Sequence, residues 1–267
     1  MRPDLYAEEG DARPERDGMR FLSHSKMGKY LLCPEQYRLY YIERLRPRVP
    51  SANLVFGTTI HHALGRLFQA GADPVRVFAE LWEPFRSVDL EYGARASWGS
   101  LLACGEKLLA DFRETEFPKL SEVSGVETPF KLEITSLDVP FVGIVDLVAR
   151  LDGRKTLVDF KTSASAYQPH EVVLSDQLSA YQLAHPDAEA TALCVLVKTK
   201  EPRIEWHRAS RSGPDLEEFL RKAGFVAQDI AAGRFYKRPG KHCSWCDFLP
   251  VCLGDKKRAD ETLISAS

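Results

Sequence analysis

The sequence has no apolar run approaching the roughly 18 residues that a membrane-spanning helix needs, so no transmembrane segment is expected. Its first residues, MRPDLYAEEGDARPERDG, contain no apolar core of the kind a secretory signal requires. Nor is there a dominant charge: 36 Lys and Arg face 38 Asp and Glu, for a formal net charge of -2. Bulk charge therefore does not announce a nucleic-acid binder, although a local basic groove is sufficient for one. No internal repeat and no low-complexity tract appears, and no G-x-x-x-x-G-K-[ST] phosphate loop, so any helicase motor would be a separate chain. The hydrophobic content of 44% and charged content of 28% over 267 residues exclude collagen-like, mucin-like and wholly disordered chains. The length suits one large domain or two small ones.

Cysteine is scarce but unevenly placed, at 33, 104, 194, 243, 246 and 252. A secreted disulfide scaffold would be shorter and denser in cysteine. Three of the six fall within ten residues as Cys243-x2-Cys246-x5-Cys252, which reads as a metal or cluster site in a reducing compartment, hence a cytoplasmic protein. Cys104 and Cys194 lie in apolar periodic runs and read as small buried hydrophobes.

Residues 1–20 are polar, charged and punctuated by Gly and Pro, which predicts a frayed tail. Ser23 is a helix N-cap, followed by a helix to Leu32, a second over Glu35–Arg44, and others at Phe56–Ala70, Pro74–Phe85 and Ser97–Phe117. The texture changes near Ser124. Strands are expected at 131–136, Phe141–Arg150, Thr156–Lys161, Thr191–Thr199 and Arg203–Ala209, with helices at Ser175–Ala184 and Pro214–Ala232. The order predicts an α/β (α+β) architecture. Its expected parts are a helical N-terminal region (21–123), a core with a central mixed sheet flanked by helices (124–235), a C-terminal cysteine lobe (236–258) and a tail (259–267).

Asp152-Gly153 between two apolar runs is a strong hairpin signal, because a type I′ turn needs positive φ at both central residues. If these two form the turn, Asp146 falls opposite Asp159, and Asp146, Asp159 and Lys161 project from one face. Two opposed carboxylates in an apolar strand pair repel. A divalent cation between them would remove the conflict, and Mg²⁺ or Mn²⁺ would suit the oxygen donors. The plainer alternative is that one aspartate accepts a backbone N–H or simply pairs with Lys161.

With these motifs the sequence resembles the PD-(D/E)XK nuclease superfamily, in its RecB-like branch, which includes CRISPR-associated RecB-like exonucleases. Gly143-Ile-Val-Asp146 is similar to the G-x-x-D motif, Asp159-Phe-Lys161-Thr162 to D-x-K-T, Gln177-Leu-Ser-Ala-Tyr181 to Q-x-x-x-Y, and Gly57-Thr-Thr-Ile-His61-His-Ala-Leu64 to G-x-x-x-H-x-x-L. Val145 stands where the eponymous proline would, a departure the branch tolerates, and Glu127 lies where some members carry an acidic residue. The resemblance implies a restriction-endonuclease-like core. It implies a metal held by His61, Asp146, Asp159 and the backbone carbonyl of Phe160, and a catalytic set of Asp146, Asp159, Lys161, Gln177 and Tyr181. His61 and His62 are adjacent and point to different faces, so at most one is a ligand.

An iron–sulfur subset of the branch carries one cysteine before the core and three after it. The resemblance thus implies a [4Fe–4S] cluster on Cys33, Cys243, Cys246 and Cys252, stapling chain segments about 210 residues apart. Zinc is the competing occupant, since four thiolates suit it equally and His242 would be able to replace one. The implied activity is a metal-dependent DNA nuclease, an exonuclease on single strands or DNA ends, in repair, recombination, phage or CRISPR-type processing, with a helicase or CRISPR adaptation partner. A non-cleaving DNA-binding or helicase-partner module on the same fold is the alternative. Lys237, Arg238, Lys241, Lys256, Lys257 and Arg258 flank the cysteines and suit a phosphate backbone, with Tyr236 or Trp245 available to stack on bases.

Overall fold

The structure is a computed structural model describing residues 19–94, 96–135 and 137–266. The expected N-terminal tail lies, as far as residue 18, outside the described residues. In chain order the strands are β1 (Leu22–Ser23), β2 (Leu45–Pro47), β3 (Leu120–Leu132), β4 (Phe141–Leu151), β5 (Arg154–Ser163), β6 (Ala190–Val197), β7 (Arg203–Ala209) and β8 (Leu263–Ser265). The helices are α1 (His24–Leu32), α2 (Pro34–Tyr37), α3 (Ala52–Ala70), α4 (Pro74–Trp82), α5 (Trp98–Asp111), α6 (Pro169–Val173), α7 (Asp176–Ala184), α8 (Gly213–Ala231), α9 (Leu249–Leu253) and α10 (Lys256–Thr262). The chain forms two compact units, one from residues 51–130 and 143–216, the other from residues 1–50, 131–142 and 217–267.

The first unit carries a mixed sheet: β3 pairs with β4, β4 is antiparallel to β5, β5 parallel to β6, and β6 antiparallel to β7. A parallel β5–β6 pair needs a crossover, and α6 and α7 supply it. Both turn residues expected of the hairpin have positive φ, Asp152 at 49° and Gly153 at 81°. Its register runs from Leu151–Arg154 to Leu147–Val158, as the turn dictates.

Alternation along β5 divides the core. Leu157 packs with Val145, Val172, Leu178, Leu193 and Val195 in one apolar cluster. Phe160, on the other face, stacks on Phe68 of α3 at 6.1 Å and meets Phe112 edge-on at 5.7 Å. The strand expected at 131–136 lies earlier, at Leu120–Leu132. Glu122 and Glu127 have positive φ within it, which interrupts the alternation that marks a strand in sequence. The helices expected to reach Arg44 and Phe117 stop at Tyr37 and Asp111 and continue as wider π turns over Arg38–Ile42 and Phe112–Glu116.

In the second unit Ser23 caps α1 as expected, accepting the Lys26 N–H. β1 pairs in parallel with the first two residues of β4. Tyr37 stacks on Phe235 at 6.0 Å, and the Tyr30 hydroxyl donates to the Arg234 carbonyl at 2.8 Å. Residues expected as a C-terminal tail are ordered instead: β8 pairs antiparallel with β2. The cause is Leu263, which is buried against Leu39 and Phe248.

Candidate active site and the cysteine lobe

Helix α3 begins at Ser51, whose hydroxyl accepts the Asn53 N–H, and ends at Gly71 with φ 64°. It buries Val55, Phe56, Ile60, Ala63, Leu64 and Leu67, so His61 sits beside its apolar stripe while His62 is exposed. His61 Nδ1 lies 3.6 Å from Asp146 Oδ1. Gly57, one turn earlier, leaves room for Thr162, whose Oγ1 would be 3.3 Å from an added Cβ. The helix motif and the D-x-K-T strand therefore pack on each other. Glu127 lies over Gly65, one turn beyond His61, and accepts from Gln69 at 3.2 Å.

The hairpin differs from expectation at its open end. Past the Leu147–Val158 pair, the Asp146 carboxylate accepts the Phe160 N–H at 2.7 Å. Asp146 thus reaches toward α3, while Asp159 and Lys161 face α7. Lys161 Nζ is 2.9 Å from Asp159 Oδ2. Both plainer alternatives, an aspartate on a backbone N–H and an aspartate paired with lysine, are present, so carboxylate repulsion does not by itself demand a metal.

Helix α7 is capped by Ser175, which accepts the Leu178 N–H. This cap aligns Gln177 and Tyr181, one turn apart, with the sheet. Gln177 Nε2 donates to Asp159 Oδ1 at 2.7 Å and to the Tyr181 hydroxyl at 2.9 Å, while Gln177 Oε1 accepts from Lys161 at 2.8 Å. The Tyr181 hydroxyl lies 2.6 Å from the Ile144 carbonyl and 2.9 Å from Asp159 Oδ1. His61, Asp146, Asp159, Lys161, Gln177 and Tyr181 thus form one connected site. One participant had no motif to mark it: the Ile144 carbonyl, 2.6 Å from the Tyr181 hydroxyl.

Asp159 is 2% exposed. Burial raises its pKa, Lys161 opposes the rise, and Asp146 adds to it. Burial lowers the Lys161 pKa, but the charge and hydrogen bond of Asp159 outweigh it and leave the ammonium favoured. Burial also works against protonation of His61, and is outweighed by the hydrogen bond and charge of Asp146. The Tyr181 hydroxyl is pushed well up, first by burial and then by Asp159 and Asp146.

Among the described residues no group of three or more His, Cys, Asp or Glu stands as a ready metal cage. The donors nevertheless suit a small hard cation. The Asp159 carboxylate is buried with the Lys161 ammonium 2.9 Å from Oδ2, and Asp146 Oδ1 lies 3.6 Å from His61 Nδ1, so two carboxylates and an imidazole meet in one site.

In the second unit, Cys33 is buried at the start of α2, with Pro34 in the first helical position. Gln36 Nε2 is 3.7 Å from Cys246 Sγ. Burial raises the Cys246 thiol pKa, the Phe248 N–H lowers it, and the nearby Cys252, Asp247 and Cys33 raise it further. Burial likewise raises Cys252, with Lys237 opposing and Glu35, Cys33 and Cys243 adding. Four thiolates would suit a soft metal, but in this arrangement they do not stand as a ready cage. Cys194 is buried in β6 and Cys104 half-buried in α5, each raised by burial.

A family model of the PD-(D/E)XK nuclease superfamily matches residues 21–253, and the chain belongs to that superfamily. It is a nuclease-fold protein with the mixed, helix-flanked sheet of that class. No curated protein matches the sequence. Among solved structures, a "putative exonuclease" from Eubacterium rectale aligns over 85% of this chain and 87% of its own at 12% identity and a TM-score of 0.54, a likeness of fold. SSO0001 aligns over 86% of this chain and 93% of its own at 16% identity, with a TM-score of 0.38 that supports no argument. No described helix is long and apolar enough to cross a membrane.

Proposed function

We propose that this chain is a divalent-metal-dependent deoxyribonuclease that hydrolyses phosphodiester bonds in single-stranded DNA or at DNA ends. The observation that carries the reading is the convergence of five motif residues, His61, Asp146, Lys161, Gln177 and Tyr181, around the buried carboxylate of Asp159. Asp146, Asp159, the Phe160 carbonyl and His61 would hold Mg²⁺ or Mn²⁺, with the imidazole favouring Mn²⁺. When bound, such an ion neutralises charge on the scissile phosphate and lowers the pKa of a coordinated water. Lys161 spends two of its three donors on Asp159 and Gln177, leaving one to orient the attacking water or the pentacovalent phosphorus oxygens. Gln177 fixes the Lys161 ammonium, and Tyr181 ties Asp159 to the β4 backbone.

The split cysteine layout, one cysteine before the core and three after it, supports a [4Fe–4S] cluster on Cys33, Cys243, Cys246 and Cys252, which fits a cytoplasmic, reducing setting. The test is degradation of end-labelled single- and double-stranded DNA with Mg²⁺ or Mn²⁺. Asp159→Ala and Lys161→Ala are expected to abolish cleavage while still binding DNA. Wild-type-like cleavage by Asp159→Ala would overturn the mechanism.

A further inference from the structure

The second unit carries a surface that the candidate active site does not use. Between Tyr236 and Arg258 there are six Lys and Arg against two Asp, a local excess of +4 in a chain of net -2. Two large aromatic side chains stand out from this basic segment, Trp245 at 71% exposure and Tyr236 at 59%.

Neither ring is on a loosely held backbone. The Tyr236 carbonyl accepts the Glu35 N–H at 3.1 Å, the neighbouring Lys237 ammonium donates to the Cys252 carbonyl at 2.7 Å, and Arg238 donates to the Leu31 carbonyl. Trp245 closes the short helical turn Lys241–Trp245, in which Ser244 Oγ donates to the Lys241 carbonyl at 2.6 Å and the Cys246 N–H returns to Cys243. Cys246 Sγ in turn meets Gln36. Tyr236 is thus held to Glu35 by its own carbonyl, and Cys246, the residue after Trp245, contacts Gln36 of the same helical turn. Of the acidic neighbours, Glu35 pairs with Arg38, Asp229 with Arg234, Asp255 caps α10 and Glu261 lies 4.0 Å from Lys257, while Asp247 and Asp260 are exposed. Lys237, beside Tyr236, Lys241, four residues before Trp245, and the run Lys256–Arg258 are all exposed.

We infer that Trp245 and Tyr236, with Lys241 and the Lys256–Arg258 run, form a stacking platform for single-stranded DNA, separate from the carboxylate site. Exposed rings on a pinned backbone cost little ordering entropy on binding, and every base offers a π-face, so the platform grips without reading sequence. The charge selects the occupant. A protein-docking face would be depleted of lysine, whereas this segment carries four exposed lysines, Lys237, Lys241, Lys256 and Lys257. The inference deepens the proposed nuclease reading by naming unpaired DNA as the strand that is held.

The test measures binding of a fluorescent oligo(dT) to the full chain without added divalent metal, so that no cleavage intervenes. Trp245→Ala is expected to weaken binding about tenfold, and Trp245→Phe to restore it while removing the tryptophan quenching seen on titration. Lys256→Glu with Lys257→Glu is expected to flatten the dependence of log affinity on log salt by about 0.7 for each phosphate no longer neutralised. A duplex of equal length is expected to bind more weakly than oligo(dT). Trp245→Ala with wild-type affinity, a duplex preferred to the single strand, or self-association of the chain in place of oligonucleotide binding would each overturn the platform. Cleavage by Asp159→Ala would overturn the proposed nuclease mechanism and leave the binding result standing.

Discussion

Gly143 opens the G-x-x-D motif, and the structure gives it a steric reason that can be tested. A Cβ at Gly143 would lie 2.6 Å from Cζ and 2.8 Å from Cε1 of Phe130. The ring must retreat by about 1 Å to regain ordinary carbon–carbon contact. Phe130 packs edge-on against Tyr181, with ring centroids 5.8 Å apart at 88°. Tyr181 in turn holds Asp159 Oδ1 at 2.9 Å. The push therefore passes through two rings to the carboxylate. Phe130 is only half-buried, so it gives way, and Gly143→Ala is expected to cost about 1 kcal/mol, near the low end for overpacking. That corresponds to a fall in Tm of roughly 2–4 °C. The effect on cleavage is larger, because a displacement of about 1 Å in catalytic groups costs up to about 100-fold in rate. The assay pairs thermal melting with metal-dependent cleavage for Gly143→Ala, Phe130→Leu and the double variant. The shorter side chain is expected to recover most of the missing rate in the Gly143→Ala background. Unchanged cleavage in Gly143→Ala, or no recovery in the double variant, would refute the chain of contacts.

Glu116, 8% exposed, accepts from Trp206 at 2.6 Å, Lys119 at 2.5 Å and Thr115 at 3.0 Å. Burial raises its pKa, but these three hydrogen bonds outweigh it and leave the carboxyl below its ordinary value. Its contribution is thus present above the unfolded carboxylate pKa and lost as pH falls through the lower folded value. Glu116→Gln is expected to cost about 1–3 kcal/mol at neutral pH and to lessen the acid loss of stability in urea titrations; an unchanged pH profile would count against it. Protein purified without oxygen is expected to be brown with about four iron atoms per chain; Cys33→Ser loses them, whereas Cys104→Ser and Cys194→Ser keep them. One zinc and no iron by metal analysis would replace the cluster with a zinc knot and leave the nuclease proposal intact.

The parts of this fold that follow from local rules were readable in the residues. Asp152-Gly153 set the hairpin register as far as Leu147–Val158, Ser23 set the start of α1, and Gly233, with φ 66°, sits just beyond the end of α8. What escaped depends on contacts remote in sequence or on backbone exceptions. Positive φ at Glu122 and Glu127 hid β3, and the π turns at Arg38–Ile42 and Phe112–Glu116 look like ordinary helix in composition. At the site, residue types and shared faces were legible for Asp159, Lys161, Gln177 and Tyr181. The turn of Asp146 toward the Phe160 N–H was not, because a side chain there replaces a ladder bond. The pairing of β8 with β2 likewise arises only once Leu263 finds Leu39 and Phe248.

The unit holding the cysteines is assembled from three separated stretches, 1–50, 131–142 and 217–267. On the ribosome this has a timing consequence. Cys33 leaves the exit tunnel long before Cys252, and at about 5–20 residues per second the 219 positions between them take roughly 10–45 s to synthesise. Residues 51–216 can collapse around their sheet in that interval, while Cys33 waits as a lone thiol before Cys243, Cys246 and Cys252, its proposed partners, are made. If the proposed cluster forms, the cysteine lobe is the last part of the described chain to mature, and its yield is expected to fall first when cells are starved of metal or exposed to oxidant during translation.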